Sequence, residues 1–267
     1  MTFRDALAAA DRPLIGMWCS SGSPLVAEIC AGSGIDWLLI DGEHGPNDLG
    51  TILAQLQAVA PYPATPVVRV PANDPVMIKQ VLDLGAQNLL VPMVDTAEQA
   101  AAAVAAVRYP PGGIRGVGSA LARSGRWGRV ENYLPDGDAH ISLFVQVESQ
   151  AGVAAAGQIA AVDGVDGVYV GPSDLAASMG LLGQQSHPDV VDAVLATFTA
   201  AQEQGKPVGV NAFDEQVASR YLDAGATFAT VGADVTLLAR GSEALATRFQ
   251  RQIGPPPSGG QDVVETG

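Results

Sequence analysis

The chain has 267 residues, 48% of them hydrophobic, enough for one large core. Its 28 acidic against 14 basic residues give a formal net charge of −14, which repels phosphate backbones and argues against nucleic-acid binding. The two cysteines, Cys19 and Cys30, offer neither zinc-ligand spacing nor a disulfide framework, and no apolar run reaches the ~18 residues of a membrane span, so a soluble, cytoplasmic protein is expected.

In chain order, the first eleven residues hold Arg4, Asp5 and Asp11 and no long apolar stretch, so no signal peptide is expected. Short apolar runs then recur at residues 14–18, 37–40, 67–70, 88–91, 141–147, 167–170, 208–210 and 228–231 and read as strands. The intervening segments 23–32, 47–60, 74–84, 96–109, 149–160, 188–204, 214–224 and 234–251 read as helices. Several open on Ser, Asn, Asp or Thr, which cap first-turn amides, and Pro75 stands just inside a helix start. Strict alternation of strand and helix over about 250 residues predicts a (β/α)8 TIM barrel. The rival, an open doubly wound sheet, would show a Gly-rich phosphate loop after its first strand, and residues 19–24 match that only loosely. Residues 109–135 break the rhythm with Gly, Arg and Pro, the mark of a functional loop. Residues 1–253 are expected to form one domain and 254–267, with three prolines in a row, a disordered tail.

Barrel chemistry sits where strands end on the C-terminal face. The second strand ends in Asp41-Gly42-Glu43-His44-Gly45, the third carries Arg69, the fifth ends in Gln146-Val147-Glu148, and the sixth runs into Gly171-Pro172-Ser173-Asp174. Glu148 and Asp174, from adjacent strands, can hold a divalent ion and leave positions open for substrate and water. Asp174 could equally cap the following helix. His44 is the one histidine placed on this rim and suits proton transfer, whereas His140 precedes the fifth strand and His187 lies in a loop. Arg69, inside an apolar strand, needs an anionic or carbonyl partner, and a salt bridge to Asp41 or Glu43 would supply one. Gly171-Pro172-Ser173 opens a short helix whose free amides suit a carboxylate. The only lysines, Lys79 in a helix and Lys206 before the seventh strand, lie away from the rim. A Schiff-base mechanism is therefore not expected, and carbonyl activation falls to a metal.

Taken together, Leu39-Ile40-Asp41-Gly42-Glu43-His44-Gly45, Val68-Arg69-Val70-Pro71, Leu90-Val91-Pro92-Met93-Val94, the run from Tyr109 to Gly116, Gln146-Val147-Glu148 and the run from Val170 to Leu175 resemble the class II pyruvate aldolases of the HpcH/HpaI family. The resemblance spans residues 16–251. It implies metal-dependent, reversible cleavage of 4-hydroxy-2-oxo acids to pyruvate and an aldehyde. It implies Mg²⁺, Mn²⁺ or Co²⁺ on Glu148 and Asp174, with pyruvate beside Gln146 and its carboxylate on amides near Gly171, Pro172 and Ser173. Arg69 would stabilise the enolate, and His44, oriented by Asp41, would act as acid and base. It further implies a homohexamer, a trimer of dimers, with the last helix exchanged between subunits.

Position alone makes Val117, Ser119, Arg123 and Phe213 candidate walls of the aldehyde pocket. The arginines at 115, 123, 126 and 129 suggest a carboxylated or polyhydroxylated acceptor, or else a surface or subunit contact. An acyl-CoA lyase or phosphoenolpyruvate enzyme on the same fold would need those arginines as its basic pocket. A non-catalytic metabolite-binding barrel is the remaining alternative.

Overall fold

The computed structural model describes residues 2–253. Eight strands close into a parallel barrel in sequence order: β1 (Leu14–Cys19), β2 (Trp37–Asp41), β3 (Thr65–Arg69), β4 (Asn88–Val91), β5 (Ser142–Val147), β6 (Gly167–Val170), β7 (Val208–Asn211) and β8 (Phe228–Ala233). The helices are α1 (Phe3–Ala9), α2 (Pro24–Ala31), α3 (Leu49–Val59), α4 (Pro75–Asp83), α5 (Ala97–Val107), α6 (Gln150–Ala160), α7 (Pro172–Ser178), α8 (Pro188–Gln202), α9 (Glu215–Asp223) and α10 (Asp234–Ile253). The closed barrel is borne out and the open sheet is not. The tail expected at 254–267 lies outside the described residues.

The capping signals act as expected except at α3, where Asp48 and not Asn47 is the cap. Ser23, Asp48, Asp74, Thr96, Ser149 and Asp214 each accept a hydrogen bond from an amide of the helix they start. Gly85, Gly205 and Gly225, after three helices, take φ of 93°, 70° and 96°, the left-handed conformation that L side chains resist.

Helix α1 was not anticipated. It is seven residues long, too short for a periodic signal, and is held from both ends. Thr2 and Asp5 form a reciprocal capping box, and the Phe3 amide donates to Asn88 Oδ1 at 2.7 Å. The Phe3 ring enters the barrel interior, 5.0 Å from Trp37, 5.2 Å from Phe144 and 5.4 Å from Phe228, and closes the N-terminal end. The glycines on β1 and β7 make this possible: a Cβ on Gly16 would stand 2.3 Å from Trp37, and one on Gly209 2.2 Å from Phe228. Trp18, Leu39, Val67, Leu90 and Tyr169 continue the interior column towards the other end, while a larger apolar shell joins the strands to the surrounding helices.

Residues 108–141 connect α5 to β5, which places this segment on the N-terminal face, opposite the rim. Arg123 Nη1 donates to Leu84 O at 2.8 Å, just past the end of α4. Buried Arg115 lies over the Tyr109 ring at 4.5 Å and reaches Asp83 Oδ1 at 3.4 Å. Val117, Ser119 and Arg123 therefore do not wall the cavity of their own chain; the sequence order α5-loop-β5, not the loop's length, decides its face.

The chain divides into two compact units, Met1–Asp234 with the barrel and a second beginning at Val235. In the second, α10 carries exposed Leu237, Leu238, Leu245 and Phe249. Among the described residues no helix is long and apolar enough to cross a membrane.

Candidate active site

The rim is organised around a buried guanidinium. Asp41 and Arg69 end neighbouring strands as cross-strand partners, so strand register alone sets the acid beside the base. Asp41 Oδ1 accepts Arg69 Nε at 2.9 Å and lies 2.8 Å from Nη2; Arg69 Nη1 lies 2.7 Å from Glu43 Oε2. The guanidinium also stacks on Trp18, 4.3 Å from the ring centroid. Both salt bridges considered from the sequence thus form together, and they lock the orientation of a cation that is 4% exposed. Trp18 is itself held by Nε1 bonds of 3.0 Å to Asn211 Oδ1 and Thr230 Oγ1.

Asp41 also shapes the loop after β2. Its Oδ1 accepts the backbone amides of Glu43 at 3.0 Å and His44 at 3.2 Å. Asp41 thus holds the main chain of His44. The imidazole projects to the cavity lip, its side chain 66% exposed, with Nε2 3.9 Å from Glu43 Oε2.

Glu148, one residue past β5, is 2% exposed. Its Oε2 accepts Gln146 Nε2 at 2.5 Å and its Oε1 accepts the Met93 amide at 2.8 Å. Met93 takes a φ of 54°, a left-handed conformation unfavourable for its side chain, and that turn aims its amide at the carboxylate. Burial pushes the Glu148 carboxyl up to about 7, with Asp174 and Glu43 repelling its charge and the Met93 bond pulling the other way. Burial likewise raises Glu43, against the pull of Arg69. Gly171 is spatially required: a Cβ there would stand 2.7 Å from Glu148 Oε2 and 2.8 Å from Gln146 Nε2.

A cavity of about 220 Å³ joins these groups, lined among others by Trp18, Asp41, His44, Arg69, Gln146, Gly171, Ser173, Asp174 and Phe213. Asp174 is exposed in the first turn of α7 and lines the cavity. Helix α7 has no side-chain cap, so Asp174 does not serve as one. The amide of Gly171 is already donated to Val147 O at 3.1 Å, which leaves the amides further into α7, from Ser173 on, to meet an anion. Pro172 lines a neighbouring cavity of about 160 Å³ that shares Ser173, Asn211 and Phe213 with the first. Val117 is exposed in the segment of the opposite face. Trp18 belongs to the site although nothing in the sequence pointed to it, and Glu43, expected only as a salt-bridge partner of Arg69, belongs to it too. A polar triad around one buried arginine needs more than one acid, and the Glu43-His44 pair was the available signal.

The donor set suits a divalent cation. Glu148 is a desolvated carboxylate close enough to Asp174 and Glu43 to feel their charge, and its one nearby arginine is committed to Asp41 and Glu43. Gln146 Oε1 is buried without a partner. Among the described residues no three acidic, histidine or cysteine side chains are arranged to hold a metal ion together, so substrate and water oxygens would complete the coordination of any ion held by this pair. Neither lysine reaches the rim: Lys79 lies in α4, and Lys206 Nζ donates to Val165 O at 2.6 Å, before β6.

A closed parallel barrel that gathers a buried arginine, carboxylates and a glutamine on its C-terminal rim has the layout of a barrel enzyme. The chain matches the family described as HpcH/HpaI aldolase/citrate lyase over residues 14–241, and it belongs to that family. It is 55% identical over 247 residues to a 4-hydroxy-2-oxo-heptane-1,7-dioate aldolase of Klebsiella pneumoniae, covering 92% of this chain and 93% of that one. A Salmonella heidelberg protein of the same description is 53% identical, covering 92% and 94%. The crystal structure of an HpcH/HpaI aldolase/citrate lyase family protein from Burkholderia cenocepacia superposes with a TM-score of 0.88 at 42% identity, covering 92% of this chain and 98% of that one. The expectation of an aldolase of this family is borne out.

Proposed function

We propose that the chain cleaves a 4-hydroxy-2-oxo acid reversibly to pyruvate and an aldehyde, with Mg²⁺, Mn²⁺ or Co²⁺ held by Glu148 and Asp174. 4-Hydroxy-2-oxoheptanedioate, named in its relatives, is the first substrate to test, and 2-keto-3-deoxysugar acids the second. The observation that carries this reading is buried Glu148, bonded to Gln146, which lines the same cavity as Asp174 and the fixed Arg69. When bound, the ion would polarise the 2-oxo group and offset negative charge on its oxygen, a contribution of several kcal/mol. Arg69, held rigidly by two carboxylates, presents its cation to the same oxygen without reorganising during the reaction. Gln146 borders the pyruvate half, and the Ser173 end of α7 receives its carboxylate. His44, at the solvent lip, takes the proton of the 4-hydroxyl as the C3–C4 bond breaks, the bond's electron pair passing to the pyruvate half and the aldehyde leaving. In synthesis His44 returns that proton.

The reading as an acyl-CoA lyase or phosphoenolpyruvate enzyme finds no support within one chain, because the arginines it needs stand on the opposite face. Val117, Ser119 and Arg123 could serve the aldehyde pocket only from a neighbouring copy. Assembly as a homohexamer with α10 exchanged is supported by the exposed Leu121, Trp127, Leu237 and Leu238. A cytoplasmic location suits the two free, buried cysteines. Release of pyruvate from 4-hydroxy-2-oxoheptanedioate by chelated and Mn²⁺-reloaded protein tests the function. Full activity after thorough chelation would overturn it. Analytical ultracentrifugation tests the assembly, and a monomer at micromolar concentration would exclude it.

A further inference from the structure

The arginines of the 108–141 segment have no part in the rim, and two of them surround a second polar cavity. It holds about 100 Å³ and lies on the N-terminal face, between the turn at Gly85–Gln87 and the segment carrying Arg123, Ser124, Arg126, Tyr133 and His140. No carboxylate lines it. That is unusual in this chain, where most arginines stand against an acid: Arg4, Arg12, Arg69, Arg108, Arg115, Arg220 and Arg240 all do. Among the described residues, neither Arg123 nor Arg126 has a carboxylate within ion-pair distance.

The Arg123 guanidinium is held in place, and the backbone that carries Arg126 is set by a tight turn. The Arg123 bond to Leu84 O fixes one N–H of the guanidinium and leaves the others to the cavity. Arg126 is set by the turn that follows, where residues 126 and 127 take φ of 49° and 58° and the Arg126 amide donates to Arg123 O at 3.0 Å. Burial and the charge of Arg126 both press Arg123 towards its neutral form, so the pair repels without compensation. Two further groups lack partners. Ser124 Oγ and His140 Nε2 are buried and make no hydrogen bond. The imidazole is stacked on Tyr133, with ring planes 10° apart and centroids separated by 5.3 Å.

Waters could satisfy a hydroxyl and a ring nitrogen, but they would not neutralise the half-buried Arg123 guanidinium, which Arg126 repels. An oxyanion does both, since guanidinium N–H groups match the oxygens of phosphate and carboxylate. The space is far below the ~300 Å³ of a site for a larger organic ligand. We propose that this cavity is a binding site for a small oxyanion of the phosphate or carboxylate class, on the face opposite the catalytic rim of its own chain, which clamps the 108–141 segment to the end of α4. The proposal does not depend on the aldolase reading.

The test is calorimetric titration of the full chain with inorganic phosphate, and separately with succinate, at ionic strength held constant with sodium chloride. The wild type, Arg126→Ala, Arg126→Lys and His140→Gln are compared. Arg126 is exposed, so its removal leaves the fold intact, as circular dichroism and unchanged turnover would show. Affinity for the preferred anion is expected to fall roughly tenfold or more in Arg126→Ala, the loss of one charge-assisted contact, and to recover partly in Arg126→Lys. The stronger of the two anions identifies the class. Binding equal in wild type and Arg126→Ala, or no binding beyond that seen with chloride, would overturn the site.

Discussion

The two ends of the barrel interior are built from the same eight strands and solve opposite problems. At the N-terminal end, Phe3, Trp37, Phe144 and Phe228 pack edge to face and tilted, and the end is sealed. At the C-terminal end, the same column finishes in Arg69, Asp41, Gln146 and Glu148, all at most 4% exposed. Burying these groups costs free energy, which is tolerable only because each is tied to a partner; Glu148, raised to about 7, shows where the compensation is incomplete. The lower end supplies stability, and the upper end uses it to keep desolvated charges in place.

That division can be broken by substitution. The largest effect is expected for Glu148→Gln, which keeps shape and the Met93 contact but removes the negative charge: pyruvate formation should fall about a thousandfold or more, roughly 4 kcal/mol of barrier. Retention of activity within about tenfold would break the comparison at its upper end. Next comes Arg69→Lys, which cannot reproduce the fork to Asp41 and Glu43 or the stack on Trp18; kcat/KM should drop about a hundredfold. For Phe3→Ala the effect should move from rate to stability, with a loss of about 3 to 5 kcal/mol in urea unfolding and unaltered kcat in the folded fraction. A fall in kcat at a temperature where the variant is folded would show that the two ends are not separable. The smallest effect concerns Asp36, just before β2, whose carboxyl the Arg12 guanidinium holds below the usual carboxylate range, aided by the Ile15 amide. A lowered folded-state value means stability that is fully present above the unfolded pKa of about 3.9 and lost as pH falls through the folded one. Asp36→Asn should therefore flatten the acid limb of the stability profile below about pH 4, with turnover unchanged at neutral pH.

The strands and helices were legible because alternation of apolar runs with capped helical segments is a local pattern, and every predicted strand formed within two residues of its expected ends. Arg69 and the carboxylates were legible because charge inside a buried strand is anomalous whatever surrounds it. Helix α1 was not, since seven residues stabilised by contacts with Asn88 and an aromatic cluster distant in sequence carry no periodic signature. The contact made by Asp41 was expected at the imidazole of His44 and occurs at its backbone, a difference of a few ångströms that loop geometry alone decides.

By itself the amino-acid order determined the barrel, the absence of a lysine at the rim and the identity of the groups gathered there, because each follows from residue type and from which end of a strand a residue occupies. Tertiary packing alone decided what the 108–141 segment docks against, how Arg69 divides its bonds between Asp41 and Glu43, and how far Glu148 is withdrawn from water. Those outcomes depend on through-space distance and desolvation, quantities that a linear order of residues does not contain.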